Sequence, residues 1–212
     1  MRIGEAAAAV GVTTATWKYY IREGLVPEGE RLGANRTDYD EAHVQRARLV
    51  RALLTTGGLT ISAARDVLGV LDSHHDLVYA FAAVQHALDA GRPPGSAASR
   101  DRVDEVVLAK GWHTSGGNPG LDTAARALDA FDAISAHVGD DYLAAYADAA
   151  ERIAQADLAL LAGLDRPDHV VEAMVVGTVM GDSLIAGLRR LAQEHETSFV
   201  SNTKQDRRKE ST

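Results

Sequence analysis

Cysteine is absent from the 212 residues of this chain. Without thiolates, the chain cannot hold zinc or another soft metal through sulfur, and it cannot ligate an iron–sulfur cluster through cysteine. Disulfide formation and thiol-based redox sensing are excluded for the same reason. Any response to a metal or an oxidant would have to use other side chains.

Long apolar runs and catalytic signatures are also missing. No uninterrupted apolar run approaches the roughly 20 residues that cross a bilayer, so we expect no membrane partner. The first residues read as a helix rather than as a basic and apolar leader, so we expect a cytoplasmic protein. Glycine-rich phosphate loops, paired His-Glu-x-x-His ligands and serine elbows are absent, and we therefore expect neither an enzyme nor a cofactor.

Acidic residues outnumber basic ones, but unevenly along the chain. Residues 1–72 hold nine Lys or Arg and nine Asp or Glu, whereas residues 73–212 hold 13 and 21. The acidic second part is unsuited to nucleic acid. If the first part binds DNA, its few cations must lie on one face.

The first 25 residues have the order of a helix-turn-helix. An alanine-rich helix over 3–9 leads into the turn Val10-Gly11-Val12, and Thr13 and Gly24 are placed to cap and close a second helix. A helix in that position can lie in a major groove.

Polar side chains of the second helix are the predicted DNA contacts. Near its start, Thr14 and Thr16 are candidates for base edges. Trp17 is expected to fill the core, as large rings in mid-helix usually do. The predicted phosphate contacts are Lys18, Tyr19, Tyr20 and Arg22.

Residues 25–40 are rich in Pro, Gly, Asn and Asp and predict a β-ribbon, or wing. The alternative is a solvated loop. Asp40 and Thr60 then cap two amphipathic helices, ending near Thr55 and Leu71, whose apolar stripes predict the core beneath the second helix. The wing residues expected to contact the DNA backbone or minor groove are Arg31, Asn35, Arg36 and Tyr39.

Together these motifs resemble the MerR family of bacterial transcription regulators over residues 1 to about 71. The resemblance implies a winged DNA-binding domain, a homodimer, a C-terminal effector domain, and an effector-bound dimer that distorts a promoter spacer for RNA polymerase. Lys18 stands where the family commonly has Arg, and the family's long antiparallel dimer helix is not obvious here. The motifs that carry the resemblance are Met1–Glu5, Gly11-Val12, Lys18–Tyr20, Arg22–Leu25, Tyr39-Asp40 and Gly58–Ile61.

Past residue 72 the pattern is all-helical, so the predicted fold class is mainly all-α, a MerR-type winged helix-turn-helix followed by a helical effector or dimerisation domain. Helices are expected near 77–90, 100–110, 122–137, 141–161 and 168–196. The predicted organisation is a DNA-binding domain at 1–72, a connecting helix and Pro/Gly linker at 73–98, a helical domain at 99–196, and a disordered tail at 197–212.

The last predicted helix is apolar on almost every side. Ala173, Gly177 and Gly181 recur every four residues and form a smooth strip that another helix could approach closely. We expect this strip to pack within the chain, with a dimer seam as the alternative.

The sequence offers candidates for an effector site. Aromatic and other residues of the second part could line a pocket for a small hydrophobic or cationic organic ligand, the alternative being ordinary core positions. The candidates are Trp112, Phe131, His137, Tyr142, Tyr146 and Met174.

Asp72, His74, His75 and Asp76 have the chemistry of divalent-metal ligands, but neighbouring residues point to different sides of a helix. Capping of a helix start is the favoured interpretation, and we expect no metal site. A second functional hypothesis is a ligand-sequestering or protein-interaction module whose DNA-binding head has a reduced role.

Overall fold

The computed structural model describes residues 1–33, 36–73, 77–134, 136, 138–165 and 167–209, without side-chain surroundings for 36, 167, 168 and 199–209. Over these residues the protein is mainly all-α, as predicted, with a single two-stranded sheet. The elements are α1 (Ile3–Val10), α2 (Thr14–Arg22), β1 (Glu30–Gly33), β2 (Arg36–Asp38), α3 (Glu41–Thr55), α4 (Ile61–Asp72), α5 (Leu77–Asp89), α6 (Ala97–Lys110), α7 (Pro119–Ala133), α8 (Asp140–Leu161) and α9 (Pro167–Lys209).

Side-chain caps start the helices of the N-terminal part where the sequence predicted them. Thr13 Oγ1 accepts a hydrogen bond from Thr16 N at 3.0 Å, and Thr60 Oγ1 accepts one from Ala63 N at 3.2 Å. Asp40 caps α3 by accepting from His43 N at 3.1 Å. Each cap satisfies a backbone N–H that the first helical turn leaves free.

The predicted wing is a β-hairpin. Strands β1 and β2 are antiparallel, with Glu30 opposite Asp38. Gly29 precedes β1 at a close approach, since a Cβ there would lie 2.5 Å from Asp38 O. The hairpin is tied to the start of the chain because Tyr39 N donates to Met1 O at 2.9 Å.

One core unites the helix-turn-helix, α3, α4, α5 and α9. Trp17 is fully buried, which confirms its predicted core role, and its ring meets Tyr39 edge-on at 5.3 Å. Val175 and Val179 of α9 are also fully buried in this core. The last helix therefore packs directly on the DNA-binding part of the chain.

Helix α9 is longer than predicted and contains a long, mostly apolar segment. It runs to Lys209, although we expected a disordered tail from Thr197. Proline and glycine are absent from 197–209, and Thr197 Oγ1 donates to Gln193 O at 2.6 Å, so nothing local interrupts the helix. By length and composition, the segment His169–Ser198, with a mean hydropathy of 1.5 in its most apolar window, could cross a membrane. The expectation concerned uninterrupted apolar runs, and this segment reaches its length with Glu172 and Asp182 inside it.

Polar contacts join α5 and the start of α6 to α7 in the acidic second part of the chain. Arg126 of α7 forms an ion pair with Asp89 of α5. Asp129 accepts hydrogen bonds from the Ser96 and Ser99 hydroxyls, both at 2.6 Å. The α7 helix begins three residues before its predicted start, because Asn118 caps it and Pro119 fits its first position.

Candidate nucleic-acid interface

The outward side of α2 carries two cations. Lys18 is exposed, and the Arg22 side chain is 71% exposed while its guanidinium lies over the Tyr19 ring at 5.1 Å from the centroid. Glu23 is 3.6 Å from Arg22, a contact too exposed to hold the guanidinium away from a phosphate. Thr14 is exposed and Thr16 is partly buried, both in the first turn of α2.

A groove separates α2 from the wing. Its volume is about 660 Å³, and its polar walls bring Arg2, Lys18 and Arg31 together from α1's start, α2 and β1. Glu28 also lines the groove, opposing these cations. Three cations from three elements make a surface suited to a phosphate backbone.

Arg2 is a member of this groove that sequence reasoning missed. It is distant in sequence from α2 and the wing, and it reaches them because Met1 pairs with Tyr39 through backbone hydrogen bonds. No periodicity in the sequence reports such a pairing.

Two tyrosines predicted as DNA contacts lie in the core. Tyr20 is 5% exposed and Tyr39 is 7% exposed. Burial raises the pKa of the Tyr20 hydroxyl, and the nearby Arg51 charge partly opposes that change. Their rings support the interface from beneath, whereas Tyr19 is only partly buried beside Arg22.

The wing places Arg31 on β1 with its side chain exposed, and it places Arg36 at the start of β2, opposite Gly33. Asn35, the fourth predicted contact, lies outside the described residues. The structure therefore brings Arg31 to the groove, and for Arg36 it fixes only the backbone position.

The remaining arginines of residues 1–72 hold the scaffold together. Arg46 donates to Leu25 O at 2.9 Å and to both carboxylate oxygens of Asp72, and Arg51 donates to Val10 O at 2.5 Å. Arg65 bonds Glu23 O at 3.0 Å. Arg48 pairs with Glu41 at 3.2 Å. Because these four arginines make contacts within the scaffold, the cations at the groove and on α2 are the ones that can bind a partner.

The effector candidates separate into three places. Phe131, Tyr142 and Tyr146 form a cluster, with Tyr142 and Tyr146 ring centroids 4.6 Å apart and their hydroxyls hydrogen-bonded at 2.8 Å. We call these three residues the aromatic cluster. Trp112 instead donates to Glu151 at 3.1 Å, and Met174 is buried in the core beside α9's contacts with the DNA-binding part. His137 lies outside the described residues.

Of the four candidate metal ligands, His74, His75 and Asp76 lie outside the described residues. Asp72 accepts both guanidinium bonds of Arg46. Among the residues that the structure describes, no group of three or more His, Asp or Glu side chains is arranged to hold a metal ion.

Comparison with known proteins gives a consistent picture for the N-terminal part. Residues 1–70 match the family model described as MerR HTH family regulatory protein. The chain is 31% identical over 87 residues to the HTH-type transcriptional regulator ZntR homolog of Haemophilus influenzae, which covers 35% of this chain and 64% of the relative. It is 37% identical over 71 residues to the mercuric resistance operon regulatory protein of Bacillus cereus, covering 34% and 53%. The chain thus spans between half and two thirds of these relatives.

A solved structure extends the similarity to nearly the whole chain. The crystal structure of the putative transcriptional regulator SCO5550 from Streptomyces coelicolor A3(2) is 30% identical, with a TM-score of 0.65. The match covers 93% of this chain and 96% of that one. The arrangement of α5 to α9 on the winged helix-turn-helix is therefore shared with another protein described as a regulator.

Proposed function

Because this chain belongs to the MerR family of helix-turn-helix regulatory proteins, we propose that it binds promoter DNA as a homodimer and controls transcription by RNA polymerase in the cytoplasm. The observation that carries the proposal is the groove between α2 and the wing, where Arg2, Lys18 and Arg31 converge. With α2 in the major groove, these cations and Arg22 would meet the flanking phosphates. Thr14 and Thr16 would then face base edges.

Two heads in a dimer would double the phosphate contacts of a part of the chain whose net charge is zero. Distortion of the promoter spacer would follow if the two heads grip half-sites that straight DNA does not present together. Bending or untwisting a site costs on the order of several kcal/mol, which the additional contacts must offset. The dimer, the distortion and the effector response all belong to the proposal.

An organic effector is proposed to bind at the aromatic cluster. Arg189 of α9 already lies 5.2 Å from the centroid of the Tyr146 ring. A cationic ligand would have to displace that guanidinium, so the geometry favours a hydrophobic organic ligand over a cationic one. The name of the Bacillus cereus relative refers to mercury, but we do not propose that this chain binds it. Mercury binding in proteins relies on soft thiolates, and this chain has no cysteine.

The test is a titration of DNA containing the region upstream of the chain's own gene, repeated over a range of salt concentrations. Lys18→Ala and Arg31→Ala should each lower the slope of log affinity against log salt by about 0.9 for each protomer bound. Glu28→Gln should raise affinity severalfold, since it removes a negative charge from the groove. The matched control is Arg152→Ala, an exposed arginine of α8, which should leave binding unchanged.

The competing hypothesis, a sequestering or interaction module with a reduced DNA-binding role, gives a different result. It predicts weak binding of equal strength to the upstream region and to unrelated DNA. Binding that is insensitive to both Lys18→Ala and Arg31→Ala would contradict the proposed interface.

A further inference from the structure

His43 of α3 is the only histidine among residues 1–72. Its side chain is 17% exposed, and both of its ring nitrogens lie near oxygen atoms of the protein. Nδ1 is 2.5 Å from Asp40 Oδ1 at the start of α3, and Nε2 is 3.3 Å from Glu28 O, two residues before the wing. The imidazole therefore connects the first turn of α3 to the segment that leads into the wing.

The same ring supports the groove between α2 and the wing. Tyr39 follows β2 and meets His43 nearly at right angles, with ring centroids 5.6 Å apart, and the other side of the contact is the buried ring of Trp17. Glu28 and Tyr39 both line the groove. His43 thus contacts two of the residues that form the proposed DNA-binding surface.

The two oxygens cannot both be satisfied by a neutral imidazole. Carboxylate and carbonyl oxygens only accept hydrogen bonds, and a neutral imidazole carries a single N–H. One tautomer donates to Asp40 and turns an Nε2 lone pair toward the Glu28 carbonyl, and the other tautomer does the reverse. The imidazolium ion has an N–H on each nitrogen, so it alone can donate to both oxygens.

The short contact with Asp40 determines which bond depends on the added proton. Asp40 N also lies 3.3 Å from Nδ1, and it can donate there only if that nitrogen carries no proton. The carboxylate oxygen is closer, and the hydrogen bond with His43 is the main cause that lowers the pKa of the Asp40 carboxyl. Nδ1 therefore keeps its proton, and the exchangeable one is on Nε2, which faces Glu28 O.

We propose that His43 is a proton-dependent positioning residue for the wing. Its imidazolium form bonds Glu28 O and holds the start of the wing against α3, and loss of the Nε2 proton releases that contact. The inference rests on the proposed DNA-binding function and adds regulation by pH to it. Histidine is the side chain whose charge ordinarily changes between pH 5 and 8. DNA binding therefore strengthens as the pH falls through this range.

The charges around the ring agree with this direction. Asp40 is a counter-ion for the imidazolium, and Glu28 brings a carbonyl dipole and a carboxylate from the segment before the wing. Arg46, one turn further along α3, is engaged with Leu25 O and Asp72. The remaining charged residues of the wing are two of each sign, namely Glu30, Arg31, Arg36 and Asp38.

DNA itself favours the protonated form. A phosphate backbone in the groove attracts a positive charge placed behind Glu28 and Tyr39. By thermodynamic linkage, a proton that strengthens DNA binding is in turn bound more strongly when DNA is present. Binding of the promoter and uptake of a proton by His43 are thus coupled.

The first test measures affinity for DNA containing the region upstream of the chain's own gene by fluorescence anisotropy, at one salt concentration and over pH 5.5–8.5. The wild type should bind about three- to tenfold more tightly at pH 6 than at pH 8, within the limit of one log unit per pH unit that a single proton sets. His43→Gln should bind with no such pH dependence, because glutamine does not titrate and is a usual third residue of a capping box. His86→Gln, at an exposed histidine of α5, is the matched control and should keep the wild-type profile.

Asp40→Asn separates the charge of the cap from capping itself. Asparagine caps helices about as well as aspartate, so α3 should begin at the same residue, as circular dichroism and melting curves can check. The carboxylate that stabilises the imidazolium is lost, and the pH profile of DNA binding should therefore move to lower pH. A role of His43 in packing alone predicts no movement of the profile.

The wing contact can be measured without DNA. Amide hydrogen exchange of residues 26–33 in the full-length protein, corrected for the intrinsic effect of pH, should be slower at pH 6 than at pH 8 in the wild type. In His43→Gln the corrected exchange should be equal at the two pH values. Equal protection of this segment in the wild type at both pH values would overturn the proposal.

Failure of this inference and failure of the proposed function give different results. DNA binding that depends on salt and on Lys18 but not on pH, or a pH dependence that persists in His43→Gln, rejects the role of His43 and keeps the regulator. Wing protection that depends on pH through His43, without specific DNA binding at any pH, keeps the proton-dependent contact and rejects the regulator. DNA binding that weakens as the pH falls would contradict the direction proposed for His43.

Discussion

Individual arginines and lysines of the N-terminal part have two distinct roles. Arg46 donates to Leu25 O and Arg51 donates to Val10 O, so both side chains stabilise the scaffold. Lys18 and Arg31 reach the groove from opposite walls. A part of the chain with zero net charge can therefore present a locally positive surface, because Glu23, Glu41 and Asp72 are paired with scaffold arginines.

Residue spacing predicted some of these roles and not others. The outward position of Lys18 follows from its helical spacing with Thr14. The burial of Trp17 follows from its large ring, which in mid-helix usually fills a core. Tyr19 and Tyr20 are adjacent, so spacing alone leaves open which of them faces the core. The choice is made by the core that α2 shares with α3, in which Tyr20 lies, and such long-range contacts are invisible in a local pattern.

At the residue scale, Tyr146 is expected to carry the affinity of the aromatic cluster for apolar ligands. Tyr146→Ala should weaken binding of the probe 2-naphthylmethanol about two- to twelvefold, since an aromatic pair contributes about 0.5–1.5 kcal/mol beyond area burial. Benzyltrimethylammonium, which competes with Arg189 for the ring, should bind less tightly than the neutral probe. Isothermal titration calorimetry measures both.

The control for this prediction is Tyr79→Ala, an exposed tyrosine of α5 that is remote in sequence from the aromatic cluster. It should leave the affinity for both probes unchanged. Equal affinities for Tyr146→Ala and wild type would remove the aromatic cluster from the effector proposal.

Helix α9 contacts both the DNA-binding part of the chain and the later helices. Its Val175 and Val179 enter the core shared with the helix-turn-helix, and its Arg189 lies over the Tyr146 ring of the aromatic cluster. A ligand that displaces Arg189 from Tyr146 would therefore act on the same helix that packs on the DNA-binding part. This shared helix offers a physical route from the proposed effector site to the DNA-binding part.

Sequence patterns located the elements well and their partners poorly. Caps at Thr13, Asp40 and Thr60 are local hydrogen bonds, so the corresponding helix starts were predictable. The extent and exposure of α9 were not, because hydrophobicity on every side does not reveal which face meets protein. The strip of Ala173, Gly177 and Gly181 illustrates this, because the same residues fit a closely packed face and an open one. We expected it to pack within the chain, but a Cβ at Gly177 or Gly181 would meet no other described atom within 4 Å.

Gly57 is predicted to set how closely α9 approaches the DNA-binding part. A Cβ at Gly57 would collide with Val179 Cγ1 and lie 2.8 Å from Leu53 O. Gly57→Ala should therefore lower the free energy of unfolding by about 1–3 kcal/mol, the usual cost of overpacking a core. Urea denaturation measures the change.

A matched glycine controls for the effect of adding a methyl group. Gly69 lies within α4, and a Cβ there meets no other described atom within 4 Å. Gly69→Ala should raise stability by about 0.5–1 kcal/mol, as expected for alanine replacing glycine inside a helix. If both variants behave alike, the contact between Gly57 and Val179 does not control the packing of α9.

For the whole molecule, the separation of charge assigns different surfaces to different partners. The excess of acidic residues lies in 73–212. Several of their carboxylates form ion pairs or hydrogen bonds between helices. Lys110 bridges Asp148 and Glu151 between α6 and α8. These contacts hold the pKa of both carboxyls below their usual range, chiefly through the Lys110 bond for Asp148 and the Trp112 bond for Glu151.

These contacts between helices predict that the molecule loses stability in acid. Hydrogen bonds from Ser96 and Ser99 lower the pKa of Asp129, so its folded-state pKa lies below its unfolded value. Stabilisation from such a group is present above the ordinary aspartate pKa of about 4 and is lost as the pH falls through the lowered folded value. Asp129→Asn should therefore be less stable than wild type at neutral pH, and the difference should shrink in acid. Melting temperatures at pH 7 and pH 3 measure it, with Asp104→Asn, an exposed α6 carboxyl, expected to follow wild type. A constant gap for Asp129→Asn between the two pH values would show that the Ser96–Asp129 contact does not depend on the carboxylate charge.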